Sequence, residues 1–255
     1  MNLIDTHTHL YLPEFDSDRD EMVCRAVSSG VTKLLMPNID NGSVNAMLSA
    51  ADKYKNTCYP MIGLHPTSVK ADFNFQLDML EKTSLERKFL AVGEIGIDLY
   101  WDKTFLNEQL DAFGRQISFA IGSDLPVVIH SRESFAEVIS VLEGFSGKKP
   151  TGVFHSFPGT IKDAEKVIRM GFMLGIGGPL TFKNSRLADI VREAGLGNII
   201  LETDSPYLSP VPYRGKRNES SYLCLVNKKL AEILNITEEE SADATFKNSC
   251  RLFKI

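Results

Sequence analysis

The chain has 255 residues, 43% of them hydrophobic and 24% charged, with a formal net charge of −5; this is ordinary for a soluble globular enzyme with one large core, and the length forces no second domain. The acidic balance excludes a protein that wraps duplex DNA along a broad basic face, though not a nuclease whose positive charge is local and supplied by cations. No apolar run approaches the ~20 residues that span a membrane, and Cys24, Cys58, Cys224 and Cys250 lie far apart with no C-x-x-C spacing, which reads as four reduced, mostly buried thiols in a cytoplasmic protein.

Eight short apolar segments predict strands in chain order: Asn2–Asp5, Thr32–Asn38, Tyr59–His65, Leu90–Gly96, Pro126–Ser131, Gly152–Phe157, Phe172–Gly178 and Ile199–Thr203. The stretches between them carry helical spacing, as in Val44, Met47, Leu48 and Ala51, in Phe135, Val138, Ile139 and Leu142, and in Leu187, Ile190, Val191 and Ala194. Thr160-x-x-Asp163 and Thr237-x-x-Glu240 predict capping boxes, and Gly30, Gly144 and Gly171 predict helix stops. Two helices, around Ser221–Leu234 and Glu238–Phe253, follow a long polar loop, Ser205–Asn218. Eight strands alternating with helices predict an α/β fold, a single (β/α)8 TIM barrel spanning residues 1–255. An open doubly wound sheet would gather side chains from only the strands beside its switch point.

All five histidines sit at or just beyond the C-terminal end of a predicted strand: His7 and His9, His65, His130 and His155. Barrel enzymes keep their chemistry at that rim, and imidazole is a common metal ligand. A cleavable leader is not expected, because removing one would take candidate ligands with it. Glu94 and Asp204 place carboxylates at the ends of two further apolar strands, where an unpaired acid is costly. Singly, each acid reads equally well as a helix cap. Jointly, His7, His9, Glu94, His130, His155 and Asp204 exceed the needs of one tetrahedral ion and suit two divalent cations sharing a carboxylate. The expected assignment is His7, His9 and Asp204 on the first ion, His130 and His155 on the second, and Glu94 between them. Zn, Mn and Mg are all candidates, with imidazole-rich ligation favouring Zn, Mn or Fe over Mg.

The motifs Asp5-Thr6-His7-Thr8-His9, Gly63-Leu64-His65-Pro66, Gly93-Glu94-Ile95-Gly96-Ile97-Asp98, Val128-Ile129-His130-Ser131-Arg132, Phe154-His155-Ser156-Phe157, Gly177-Gly178-Pro179, Glu202-Thr203-Asp204-Ser205-Pro206 and Pro210–Glu219 together resemble the TatD family of metal-dependent hydrolases and deoxyribonucleases. The resemblance covers essentially the whole chain and implies a two-metal barrel with the same six ligands. It also implies hydrolysis of DNA, as a 3′→5′ exonuclease. Thr8 and Ser156 stand where such proteins often carry cysteine, and Pro158 where they often carry serine; Pro158 is the change expected to reshape the loop after the sixth strand.

Around these ligands, His65 is expected at a substrate phosphate or an active-site water, and Arg132 at a phosphate. Asp5 and Glu202 are expected to orient ligating imidazoles. Tyr100 and Trp101 are placed to stack on an unpaired base, and Arg214, Lys216 and Arg217 form the densest basic cluster, expected to steer DNA. Asp204, Glu94 and His65 carry the expected chemistry. DNA is the expected partner, with no membrane contact and a monomeric state. The alternatives are an amidohydrolase or lactonase, whose barrels often place a carboxylated lysine where this chain has Glu94, and a non-catalytic barrel braced by metal.

Overall fold

The computed structural model describes every residue except 146 and 148. Eight strands alternate with helices: β1 Leu3–Asp5, β2 Val31–Met36, β3 Cys58–Pro60, β4 Val92–Asp98, β5 Val127–Arg132, β6 Gly152–Phe154, β7 Phe172–Ile176 and β8 Ile199–Leu201. The intervening helices are α1 Arg19–Ser28, α2 Val44–Lys53, α3 Phe73–Glu86, α4 Leu106–Ser123, α5 Phe135–Glu143, α6 Ile161–Arg169 and α7 Leu187–Ala194; α8 Leu223–Leu234 and α9 Glu238–Phe253 follow the last strand.

Parallel ladders run β1-β2-β3 and β4-β5-β6-β7-β8, and two seams join them into a ring. At one seam Ile62 N donates to Ala91 O (3.1 Å) and Gly93 N to Ile62 O (2.9 Å). At the other, Thr6 N donates to Leu201 O (3.1 Å) and Asp204 N to His7 O (2.9 Å). The ring has a filled interior. Ile4, Leu35, Met61, Ala91, Val128, Val153, Met173 and Ile200, one from each strand or its immediate extension, pack together with Phe253 of α9. A larger apolar layer, including Phe113, Ile117, Phe154 and Leu174, lies between strands and helices. Each predicted strand is present, as a (β/α)8 barrel requires.

Local chemistry explains the element ends. The Thr160–Asp163 and Thr237–Glu240 pairs form reciprocal capping boxes at α6 and α9. Gly30 and Gly171 follow α1 and α6 with φ of 89° and 91°, conformations that cost glycine little. The third strand is shorter than its apolar run, because the chain leaves β2 at Met61 and crosses to β4 through Ile62. Cys58 is buried, but Cys24 is exposed and Cys224 and Cys250 are half-buried, so the expectation of mostly buried thiols is corrected.

Gly96 on β4 has φ of 143°, and a Cβ there would lie 2.0 Å from the His130 carbonyl oxygen. Gly96→Ala is therefore expected to cost roughly 3 kcal/mol or more. Gly114, inside α4, meets nothing within 4 Å, so Gly114→Ala is expected to stabilise by about 0.5–1 kcal/mol. Thermal denaturation of both variants checks the pair; similar melting temperatures would remove the steric argument.

Candidate metal centre

Strand alternation carries the barrel floor into a polar layer directly above it, since side chains two residues apart share a face. Val128 of the floor is followed by His130, Val153 by His155, and Ile200 by Glu202 and then Asp204; from Met61 the same face runs through Gly63 to His65. Strand β4 breaks step: the β4–β5 register shifts between Val92 and Ile95, and Glu94 lies among the histidines, three residues after the floor residue Ala91. Gly175, two residues beyond Met173, leaves space for Glu202, whose Oε2 would lie 2.4 Å from a Cβ at that position.

Glu94, 2% exposed, divides the cluster between its two oxygens. Oε2 lies 3.1 Å from His7 Nε2 and 3.7 Å from His9 Nε2. Asp204 Oδ1 is 3.6 Å and 3.7 Å from those same nitrogens, which are 3.2 Å from each other. Tetrahedral donors bound at ~2.0–2.1 Å are separated by about 3.3 Å, so the His7, His9 and Glu94 atoms are spaced as donors to one coordination site, while Asp204 groups with His7 and His155. Oε1 faces His130 Nδ1 (2.8 Å), His155 Nε2 (3.1 Å) and His65 Nε2 (3.3 Å). His155 also stacks on His7, with ring centroids 3.9 Å apart. The donor set fits metal ions, with candidate groups of His7 with His9 and Glu94, His7 with His155 and Asp204, and His65 with Glu94 and His130.

Hydrogen bonds on the far side of four of the five rings decide which nitrogen is free; His7 Nδ1 has no hydrogen-bond partner among the described residues. Tyr11 Oη donates to Pro37 O (2.7 Å) and so accepts from His9 Nδ1 (3.0 Å), leaving His9 Nε2 as the lone-pair donor. Glu202 Oε1 accepts from His155 Nδ1 (3.2 Å), with the same result. His130 is turned the other way: Asp98 Oδ2 accepts from Nε2 (2.9 Å), and Nδ1 faces Glu94. His65 differs again. Its Nδ1 accepts from Thr67 N (3.2 Å), so its proton sits on Nε2 and it enters the site as a hydrogen-bond donor. Asp5 does not orient an imidazole; its carboxylate takes Thr203 N (2.9 Å) and Thr203 Oγ1 (2.6 Å). Asp98 and Tyr11 are absent from the sequence reading. Asp98 was open to it, being a strand-end acid four residues after Glu94, but nothing in the sequence marked Tyr11.

Burial keeps His7 at a pKa of about 4 and His9 well below the usual imidazole range, so both are neutral ligands near pH 7. Burial also lowers His155, but the Glu94 and Glu202 carboxylates outweigh it and hold the ring well above its ordinary value. Burial would raise Glu94, but the imidazoles of His155, His65 and His7 outweigh it and keep the carboxylate ionised. Burial pushes Asp204 up to about 8. Asp204 also sits in the left-handed region, with φ of 56°, the kind of backbone strain found at functional sites.

A cleft of about 1010 Å³ leads away from His130, His155 and Asp204, over the loop after β6 to the first turn of α7. Arg132, Lys162 and Arg186 line it, as does Pro158. On its β5 side the Arg132 guanidinium lies 3.8 Å over the Tyr100 ring and 5.4 Å from that of Trp101, both exposed. The expected basic cluster lies elsewhere. Arg217 is clamped on Asp18 through two bonds (2.7 and 2.8 Å) and covers Phe15, and Arg214 covers Phe182. Neither they nor Lys216 are among the cleft's described lining residues.

Fold and site together define a (β/α)8 barrel with a buried imidazole–carboxylate centre at its C-terminal rim that could hold metal. The TatD related DNase family matches residues 4–254, and the chain belongs to that family. It is 34% identical over 254 residues to the uncharacterized metal-dependent hydrolase YabD of Bacillus subtilis, covering 99% of both chains. It is 31% identical over 256 residues to the uncharacterized metal-dependent hydrolase YjjV of Escherichia coli, covering 99% of this chain and 98% of that one. The crystal structure of the E. coli TatD homologue YjjV superposes with a TM-score of 0.92 at 29% identity, covering 99% and 98% of the two chains. An uncharacterized amidohydrolase from Saccharomyces cerevisiae shares the fold, with a TM-score of 0.86 at 17% identity over 99% of this chain and 100% of that one.

Two measurements test the centre. In Asp98→Asn the amide keeps the acceptor for Tyr100 N and Trp101 N, but its NH2 faces His130 Nε2 and forces the ring proton onto Nδ1. The affinity of a cation held through His130 is expected to fall by roughly 10–100-fold, and equilibrium dialysis showing unchanged cation binding would contradict this. Cation binding must also displace the Asp204 proton, so apparent affinity is expected to rise from pH 6 toward 8 and then flatten. A pH-independent titration would remove Asp204 from the ligand set.

Proposed function

We propose that this chain is a metal-dependent hydrolase that cleaves phosphodiester bonds in DNA, removing nucleotides from 3′ ends with two divalent cations. The observation that carries this reading is the partition of Glu94, with Oε2 facing His7 and His9 and Oε1 facing His130 and His155, all within 3.7 Å. When bound, two cations there would supply Lewis-acid charge to the phosphoryl oxygens and acidify the attacking water. The family description and the hydrolase names of the relatives support the class; the DNA substrate and 3′→5′ direction rest on the family resemblance.

The protein's own residues divide the remaining work. Asp204, whose Oδ1 faces His7 and His9, takes the proton of the attacking water as general base. His65, with its proton fixed on Nε2 by Thr67, donates a hydrogen bond to a phosphoryl oxygen. Arg132 contacts a phosphate, and the adjoining Tyr100 and Trp101 rings offer faces for an unpaired base. The cleft supports a substrate larger than a lactone or simple amide.

Glu94→Ala is expected to bring cation content toward zero and abolish hydrolysis; a purified variant retaining two cations would refute the bridging role. Asp204→Asn, tested with saturating cation, is expected to lower kcat far more than it changes KM. Near-normal turnover would take the aspartate out of proton transfer. Single-stranded DNA, duplex DNA, RNA and a panel of lactones and amides, presented to metal-reconstituted protein, rank the substrates; hydrolysis of the lactones alone would overturn the reading.

A further inference from the structure

We infer that the bay between the loop after β6 and the start of α7 is an extension subsite. It holds the second and third phosphodiesters of a single-stranded nucleic acid whose scissile phosphate lies at the metal centre. The inference rests on the proposed phosphodiesterase activity and adds to it the strand's path and the residues that grip it.

Three observations carry it. The bay is continuous with the metal centre, because one cleft is lined by both His155 and Asp204 and by Lys162 and Arg186. That whole cleft, at about 1010 Å³, stands at the top of the ~300–1,000 Å³ that holds one drug-sized ligand, so it has room for more than one nucleotide unit. Its charge is also opposite to that of the chain. The protein carries a net −5, yet Arg132, Lys162 and Arg186 have no ion-pair partner among the described residues, and they all face this cleft. The one carboxylate on the α7 wall, Asp189, is already held by Arg192 at 2.9 Å. Arg132 lies over the Tyr100 ring, but no carboxylate among the described residues neutralises any of the three cations, so an external anion is what they are placed to meet.

The same lining also carries apolar surface. Pro158 and Ile161 come from the α6 side and Leu208 from the loop after β8; Ile161 and Leu208 are 37% and 40% exposed. Cationic and apolar groups in one cleft suit a strand that presents both phosphates and bases, the combination by which single strands are bound without sequence preference. A small soluble anion would satisfy the cations but leave the apolar faces wet. Pro158, the departure noted in the sequence after the sixth strand, thus lies on the substrate's path.

The test compares wild type with Lys162→Ala/Arg186→Ala, both carrying metal, on bis(p-nitrophenyl) phosphate and on thymidine oligomers of two to five nucleotides. Both replaced side chains are exposed, so folding is not at risk. In wild type, kcat/KM is expected to rise about tenfold from dimer to tetramer, and in the double variant to stay flat. The small diester, too short to reach either residue, serves as the control and is cleaved equally by both. With turnover blocked, the salt dependence of oligomer binding is expected to flatten by about 1.4 in log–log slope, two contacts at ~0.7 each. A length dependence that survives in the double variant, or a duplex bound as tightly as the single strand, overturns the subsite. A wild type that cleaves no phosphodiester of any length would instead overturn the activity on which the inference rests.

Discussion

The constraint on which the rim depends is the burial of an ionised carboxylate. Glu94 is almost wholly removed from water, and stripping a carboxylate of its hydration costs several kcal/mol even in a relaxed protein. What offsets that cost is a ring of imidazoles drawn from four other strand ends, within 2.8–3.7 Å of its two oxygens. Those imidazoles must in turn be aimed. Tyr11, Glu202, Asp98 and Thr67 each hold the far nitrogen of one of them. The layer of polar side chains is thus a consequence of a single acid placed where an acid should not be.

The fold meets this demand by stacking two kinds of interior. Below is a dry floor with one apolar residue from each strand, sealed by Phe253; above it, two to five residues further along six of the strands, is the cluster. The floor fixes the height and facing of every strand, and rotamers set by packing leave the ligands little freedom. Precision at the centre therefore comes from apolar residues that never touch it. Where the polar layer would otherwise be too crowded glycine makes the room, as at Gly175 beside Glu202.

Much of this was legible in the sequence. The eight apolar runs, two capping boxes and five histidines gave the barrel and its rim because they are local or periodic signals. What stayed hidden depends on residues meeting across the ring. The tautomers of His130 and His65, which separate a ligand from a hydrogen-bond donor, are set by Asp98 and Thr67 through geometry that spacing does not encode. The basic loop misled for the same reason: three charges close in sequence look free until Asp18, 199 positions away, is seen holding Arg217. Nothing in the sequence marked Lys162 or Arg186, and only the cleft between α6 and α7 gives them a common direction.

The second seam has a consequence for how the centre comes into being. Thr6 meets Leu201 across 195 positions, and the same seam brings His7 and His9 of the first strand end beside Asp204 of the last. Contacts so distant in sequence are slow to form, because a long loop must be ordered before they reward it. A partly folded chain can assemble the first four strands and still hold only half of the donors. The full donor set therefore exists only once the ring has closed, and an intact centre reports that closure.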